Sequence, residues 1–152
     1  MVKKSFQKQR KLRLIDQQIA LMRNYPESTC YIRRGVLYWE GEICPTALSR
    51  TYHVTVIYKI GYRPEVTIDG DNLMGLDRPD FPHIFRIDQS AHRVKVCLHL
   101  PHEFNSLKLI ADFIIPWTVE WLYFYEIWLA TGEWCGGGVH SMNRSSTTNS
   151  RN

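Results

Sequence analysis

A chain of 152 residues fits a single domain, and chains of this size bury about two-thirds of the surface they expose when unfolded, enough for a core without staples. Five Trp and eight Tyr in that length imply a densely packed interior, and the net charge is only +4. The most apolar run, Leu107 to Leu129, is broken by Lys108, Asp112, Pro116 and Glu120, which excludes one apolar helix crossing a bilayer; the basic start lacks the apolar stretch of a secretory signal, so a soluble, cytoplasmic protein is expected.

Leu12, Ile15, Ile19 and Met22 recur at helical spacing, with Gln, Lys and Arg between them, and Tyr25-Pro26 ends the run, so residues 5 to 24 are expected to form a helix. Tyr31 to Glu40 is read as one strand, entered through Gly35 and left at Gly41. Cys44-Pro45-Thr46 reads as a turn. Tyr52, Val54, Val56 and Tyr58 alternate with His53, Thr55, Ile57 and Lys59 as a second strand, and Val66 to Asp69 makes a third. Strands this close in sequence predict an antiparallel meander.

From Gly70 to Gln89 the chain carries Gly70, Gly75, Pro79, Pro82 and several Asp with little periodicity, which predicts a long functional loop. Arg93 to Leu100 then alternates Val94, Val96, Leu98 and Leu100, leaving Cys97 on the opposite parity with Lys95 and His99. After Asn105 the pattern becomes helical. Leu107 to Ile115 is apolar on one side, and Pro116 fits the first turn of a new helix, where its missing amide N–H costs nothing. Trp117, Trp121, Phe124 and Trp128 follow at helical spacing as a core stripe, and Gly132 suits a C-terminal cap. Residues from Ser141 on are polar and are expected to be a disordered tail, leaving 1–140 as the domain. The order is α+β, with helices packed on a sheet.

These residues carry a resemblance. A helix, a meander, a Pro-containing loop and then a Cys before C-terminal helices is the order of the ubiquitin-conjugating-enzyme (UBC-like) fold. Pro82-His83-Ile84 stands where that family has His-Pro-Asn, and Cys97-Leu98 matches its nucleophile and following residue. The closer resemblance is to the bacterial ubiquitin-conjugating-enzyme-like proteins of short type II CBASS antiphage operons. It rests on Gly35-Val36-Leu37-Tyr38-Trp39-Glu40-Gly41, Pro45-Thr46, Ser49, Ile115-Pro116-Trp117-Thr118, Glu120-Trp121-Leu122, Tyr125-Glu126, and the run from Trp128 through Gly132, Trp134 and Gly136-Gly137-Gly138 to His140. The resemblance implies a transferase that carries an acyl group as a cysteine thioester. The acyl donor it implies is the C-terminus of a partner cyclase, a cGAS-like nucleotidyltransferase, and the acceptor is an amine such as a lysine of a protein target. The same surface without thioester chemistry would make a scaffold that only binds the cyclase. Ile84 and Phe85 follow His83 in place of the family's oxyanion-stabilising Asn, and the distance from His83 to Cys97 is longer, so the motif carries over the nucleophile and leaves the oxyanion donor open.

A thioester enzyme needs a thiol that reaches the thiolate state, and Lys95, His99 and His92 are the neighbours in sequence that would favour it. His83 is expected to place the loop and His99 to support the loop or the oxyanion. The bland alternative for Cys97 is a buried structural cysteine. Cys97, His99 and His102 invite a metal, but no second pair of ligands stands at zinc spacing, so none is expected, and neither is a cofactor. No phosphate-cradling Gly-rich loop followed by Lys is present, so any ATP-dependent activation falls to another protein. Cys135, beside the glycines, is the rival nucleophile; Cys30 and Cys44 are expected to be packing residues.

Lys3, Lys4, Lys8, Arg10, Lys11 and Arg13 precede the first acid, Asp16. Only one aromatic, Phe6, stands among them, so nucleic acid is a poor fit and a partner-docking face a better one. Charges of this kind act on encounter rate and fade with salt. Reversing Lys4, Lys8 and Lys11 to Glu should therefore weaken association with the cyclase and flatten its salt dependence, while a small thiol reagent alkylates Cys97 at the unaltered rate. Normal binding at low salt would leave the cluster a solvated face.

Overall fold

A computed structural model describes residues 9–137. Lys3, Lys4, Lys8, Gly138, His140 and the tail from Ser141 lie outside them. The elements in chain order are α1 (Leu14–Asn24), β1 (Thr29–Arg33), β2 (Val36–Ile43), β3 (Tyr52–Tyr58), β4 (Glu65–Asp69), β5 (Ile84–Asp88), β6 (Arg93–Val96) and α2 (Ile114–Thr131). The strands form one antiparallel sheet in the order β1-β2-β3-β4-β6-β5.

Alternation sets the two faces of the sheet. Trp39, Val56, Val66 and Val96 lie side by side across four strands, as do Val54, Ile68 and Val94 across three, and all are buried. Both helices cover this face. Leu21 of α1 is fully buried, and Tyr25 meets the edge of Trp39 at 5.9 Å; Tyr125 of α2 meets Tyr52 edge-on, also at 5.9 Å. The opposite face carries Glu40, Thr55, Thr67 and Lys95 in one row, with the Lys95–Glu65 ion pair at 2.6 Å and a His53–Asp69 hydrogen bond at 2.7 Å. One covered and one solvated face is what an antiparallel sheet tolerates.

Four expectations are corrected. Residues 9–13 are not helical and α1 begins at Leu14; residues 5–8 of the expected helix lie outside the described residues. Arg13 stands at the cap, its N–H donating to Asp16 at 2.8 Å and its guanidinium to both Asp16 oxygens, while the Leu12 N–H is already committed to the Ser106 carbonyl at 2.9 Å. Those hydrogen bonds hold the Asp16 carboxyl at about 2. The single strand over Tyr31–Glu40 is a hairpin, because Arg34 and Gly35 both take positive φ (50° and 74°), the pairing demanded by a two-residue turn.

The stretch from Gly70 to Gln89 contains β5, whose alternation is broken by a bulge at Phe85, so no period shows in the sequence. One C-terminal helix is present among the described residues, not several. Residues 107–113 make turns instead, since the Gln17 side chain takes over their backbone: its Nε2 donates to the Lys108 carbonyl and its Oε1 accepts from the Ile110 N–H, each at 2.8 Å. The meander, the Cys44–Thr46 turn, Pro116 in the first turn of α2, and Gly132 as a left-handed cap (φ 78°) stand as read.

Gln17 is 1% exposed, so replacing it with Leu takes the side-chain partner from the buried Ile110 N–H and from the part-buried Lys108 carbonyl. With roughly 1–3 kcal/mol for the buried N–H and about 1 kcal/mol for the part-buried carbonyl, Gln17→Leu should cost about 2–4 kcal/mol and lower the melting temperature by roughly 4–16 °C. A shift under about 2 °C in a thermal melt would show that α1 is held by its apolar face alone.

Candidate active site

Two segments distant in sequence meet where β6 ends. Val96 pairs with Ile84, and one step beyond this rung the Cys97 N–H donates to the His83 carbonyl at 2.9 Å. The same carbonyl accepts the indole N–H of Trp121 at 3.1 Å. His83 takes a left-handed backbone (φ 48°), uncommon for a residue with a side chain though histidine is among those that tolerate it. Its ring lies against Trp134, centroids 4.7 Å apart. Pro82-His83-Ile84 and Cys97-Leu98 are thus brought together, through main chain.

Cys97 is half-buried on the wall of an open cleft of about 460 Å³. Trp117, Glu120, Trp121 and Phe124 of α2 form one side, with Trp134 and Gly137 beyond the helix; His83, Cys97 to Leu100 and Glu103 form the other. The lining among the described residues includes two carboxylates and two imidazoles but no Lys or Arg. The Cys97 Sγ lies 3.9 Å from the His99 carbonyl, which also accepts from the Arg63 guanidinium at 2.7 Å. The His99 ring packs on Trp117 (5.3 Å) and its Nδ1 lies 2.6 Å from the Leu100 carbonyl, so in the neutral ring Nδ1 carries the proton and Nε2 the lone pair. Burial lowers its pKa, with the charges of Arg63 and Lys108 acting in the same direction against the Leu100 hydrogen bond and Glu103. His99 is accordingly neutral at pH 7.

The model of one protein family, the type II CBASS E2 protein, matches residues 17–141. The chain belongs to that family. No curated relative matches it.

The geometry sorts the residues that the sequence singles out. His83, Cys97 and His99 share the cleft. Lys95 does not: its ammonium is paired with Glu65 on the solvated face of the sheet. His92 sits at the other end of β6, its Nε2 2.6 Å from the Leu73 carbonyl, where it anchors the β4–β5 connection. His102 is exposed and outside the cleft lining, and no group of three metal-ligating side chains occurs among the described residues. Cys135 is exposed and also outside the lining, while Trp134 beside it turns in against His83, Trp121 and Phe124. Burial pushes the Cys30 thiol up to about 11, as suits a packing residue. Cys44 is exposed rather than packed, its Sγ 3.0 Å from the Thr46 carbonyl inside the turn.

The aromatic stripe of α2 also needs correction. Trp121 and Trp128 are buried, but Trp117 and Phe124 are only partly so, and they wall the cleft. Ile114, Thr118, Leu122 and Tyr125 fill the core instead. Glu103, Glu120 and Trp117 went unread as site residues. The available signal was that Trp117, Glu120, Trp121 and Phe124 recur at i, i+3, i+4 and i+7, a second face beside the buried one.

The lowered pKa of His99 has a sign that can be checked. Between its folded pKa and the ordinary value of about 6.5, the unfolded chain binds a proton that the folded chain does not. This contribution to stability is therefore present above about pH 6.5 and is lost as pH falls through the folded pKa. An NMR titration of the His99 ring should give a midpoint below that of an unfolded-chain histidine, and Trp117→Leu, which uncovers the ring, should raise it. A midpoint above 6.5 would mean that Glu103 outweighs burial.

Proposed function

We propose that this protein is a cysteine-thioester transferase with the ubiquitin-conjugating-enzyme fold that its family implies. In this reading Cys97 receives the C-terminal acyl group of a partner cyclic-oligonucleotide synthase and passes it to an amine, priming the cyclase for antiphage signalling. The observation that carries the reading is the placement of Cys97 directly after an interior strand, on the wall of an open cleft, in a chain of the CBASS E2 family.

The thiolate attacks the activated carbonyl carbon at the end of the partner's tail, forming the C–S bond and expelling the activating group. The acceptor amine then attacks the same carbon, the C–N bond forms, and the C–S bond breaks to return the thiolate, with the amine's protons passing to base or solvent. A cleft that carries Glu103 and Glu120 and no lysine or arginine suits an approaching ammonium. His83 places the loop through its carbonyl. Neutral His99, with a lone pair on Nε2, supports the loop beside the thioester and can accept a proton from the amine. At the proposed catalytic site Cys97 is the nucleophile and His83 the residue that positions it.

Cys97→Ala should abolish the covalent adduct with the cyclase on denaturing gels without moving the thermal melt appreciably. Cys97→Ser or Cys97→Lys should accumulate it as an oxyester or isopeptide, because both turn over more slowly than a thioester. Mass spectrometry should then find the cyclase's C-terminal peptide joined at residue 97. An adduct that survives Cys97→Ala and disappears in Cys135→Ala would move the nucleophile to the Gly-rich turn. Non-covalent association alone, in every variant, would make the protein a scaffold.

A further inference from the structure

We propose that Trp121 is a positioning residue for Cys97, acting through the main-chain carbonyl of His83; the catalytic meaning of this rests on the reading of Cys97 given above. The His83 carbonyl accepts two hydrogen bonds, 2.9 Å from the Cys97 N–H and 3.1 Å from the Trp121 indole N–H, which uses both of its lone-pair directions. The first bond belongs to the β5–β6 side of the cleft and the second comes from α2, so this one oxygen joins the segment that follows β6, which bears the cysteine, to the helix facing it.

The donor cannot swing away. Trp121 is 4% exposed, its ring stacks on Tyr125 at 5.3 Å with 9° between planes, and Phe81 lies 6.2 Å away at 23°. The acceptor, in contrast, sits on a peptide that has an alternative. His83 holds a left-handed φ of 48°, and a residue with a Cβ tends to leave that region when nothing holds it. Removing the indole N–H would untie the carbonyl from α2 while the bond from Cys97 remains, so little stability is lost, but the His83 peptide could then rotate and carry the Cys97 backbone with it. A displacement of that kind matters to acyl transfer far more than to folding, since an error of about 1 Å in the placement of a reacting atom can cost on the order of a hundredfold in rate.

Trp121→Phe keeps an aromatic ring against Tyr125 and Phe81 while deleting the donor together with part of the ring volume. Trp128→Phe is the packing control, because Trp128 belongs to the same aromatic group (4.9 Å from Phe81) but makes no bond to His83. With the full chain and its intact partner, Trp121→Phe should lower kcat roughly ten- to hundredfold at unchanged KM. Amide hydrogen exchange at Cys97 should accelerate while the melting temperature stays close to that of Trp128→Phe, which itself should retain normal kcat. Normal kcat and normal Cys97 exchange in Trp121→Phe would overturn the proposal, and so would an equal loss of rate in both variants.

If the unaltered protein forms no adduct, the transferase reading fails, and Cys97 exchange alone decides the positioning: acceleration in Trp121→Phe supports it and its absence overturns it. Should Trp121→Phe not fold, exchange in the unaltered protein decides. An indole N–H as protected as the Cys97 amide supports the shared acceptor, and rapid exchange of the indole beside a protected amide overturns it.

Discussion

Because β6 rather than β5 pairs with β4, the chain leaving β4 has to pass beyond the position of its neighbour and return as the edge strand. This crossover is the constraint on which the site depends. It requires the long connection from Gly70 to His83, and it brings the end of that connection beside the residue that follows β6, where His83 and Cys97 meet. The connection is itself fixed to α2. The Tyr125 hydroxyl accepts from the Met74 N–H and donates to the Met74 carbonyl, both at 2.8 Å, and Leu73, Leu76 and Phe81 are buried beneath it. Burial pushes the Tyr125 phenol up to about 12, so the hydroxyl stays neutral and can do both.

The helix α2 serves the core and the cleft at once, which explains why it is apolar nearly all round. Its Ile114, Thr118, Leu122 and Tyr125 pack on the sheet, whereas Trp117, Glu120 and Phe124 face the cleft beside Cys97, with Trp121 between the two sets. Its far end is anchored by Glu126, whose carboxylate accepts from the Ser49 hydroxyl at 2.7 Å, the Tyr52 hydroxyl at 2.8 Å and the Arg50 N–H at 3.3 Å. The β2–β3 turn is therefore tied to the same helix that carries the aromatic wall. A cleft built between such fixed elements presents its side chains without first having to order them.

Electrostatically the cleft differs from its surroundings. Lys95 and Arg93 pair with acids on the solvated face of the sheet, and Arg63 is bound to the His99 carbonyl. With His99 kept neutral by burial and two carboxylates on the wall, the cleft holds no fixed positive charge at pH 7 from His99, Lys or Arg among its lining.

The residues that could be read from the sequence alone were those governed by short-range rules. Alternation over Tyr52–Tyr58 marks β3 and Gly132 after a run of large apolar residues marks a helix end, but the parity that grouped Cys97 with Lys95 does not carry, because β6 ends at Val96 and Cys97 lines the cleft with Leu98 and Leu100 while Lys95 faces solvent. The family, too, was legible, because its motifs are local runs. Tertiary structure alone decided the rest. The hairpin at Arg34-Gly35 hid inside what looked like one strand because both of its arms share similar composition. Strand β5 was masked by its bulge, and residues 107–113 were denied a helix by a side chain 91 residues earlier in the chain, Gln17 to Lys108. Lys95 and His92 stand near Cys97 in sequence yet point to other partners, while Trp121, 38 residues from His83, bonds the carbonyl that holds the cysteine. Sequence proximity records neighbours along the chain; which side chains share a cleft depends on strand order and on the rotation of a helix about its axis, and both are set by long-range packing.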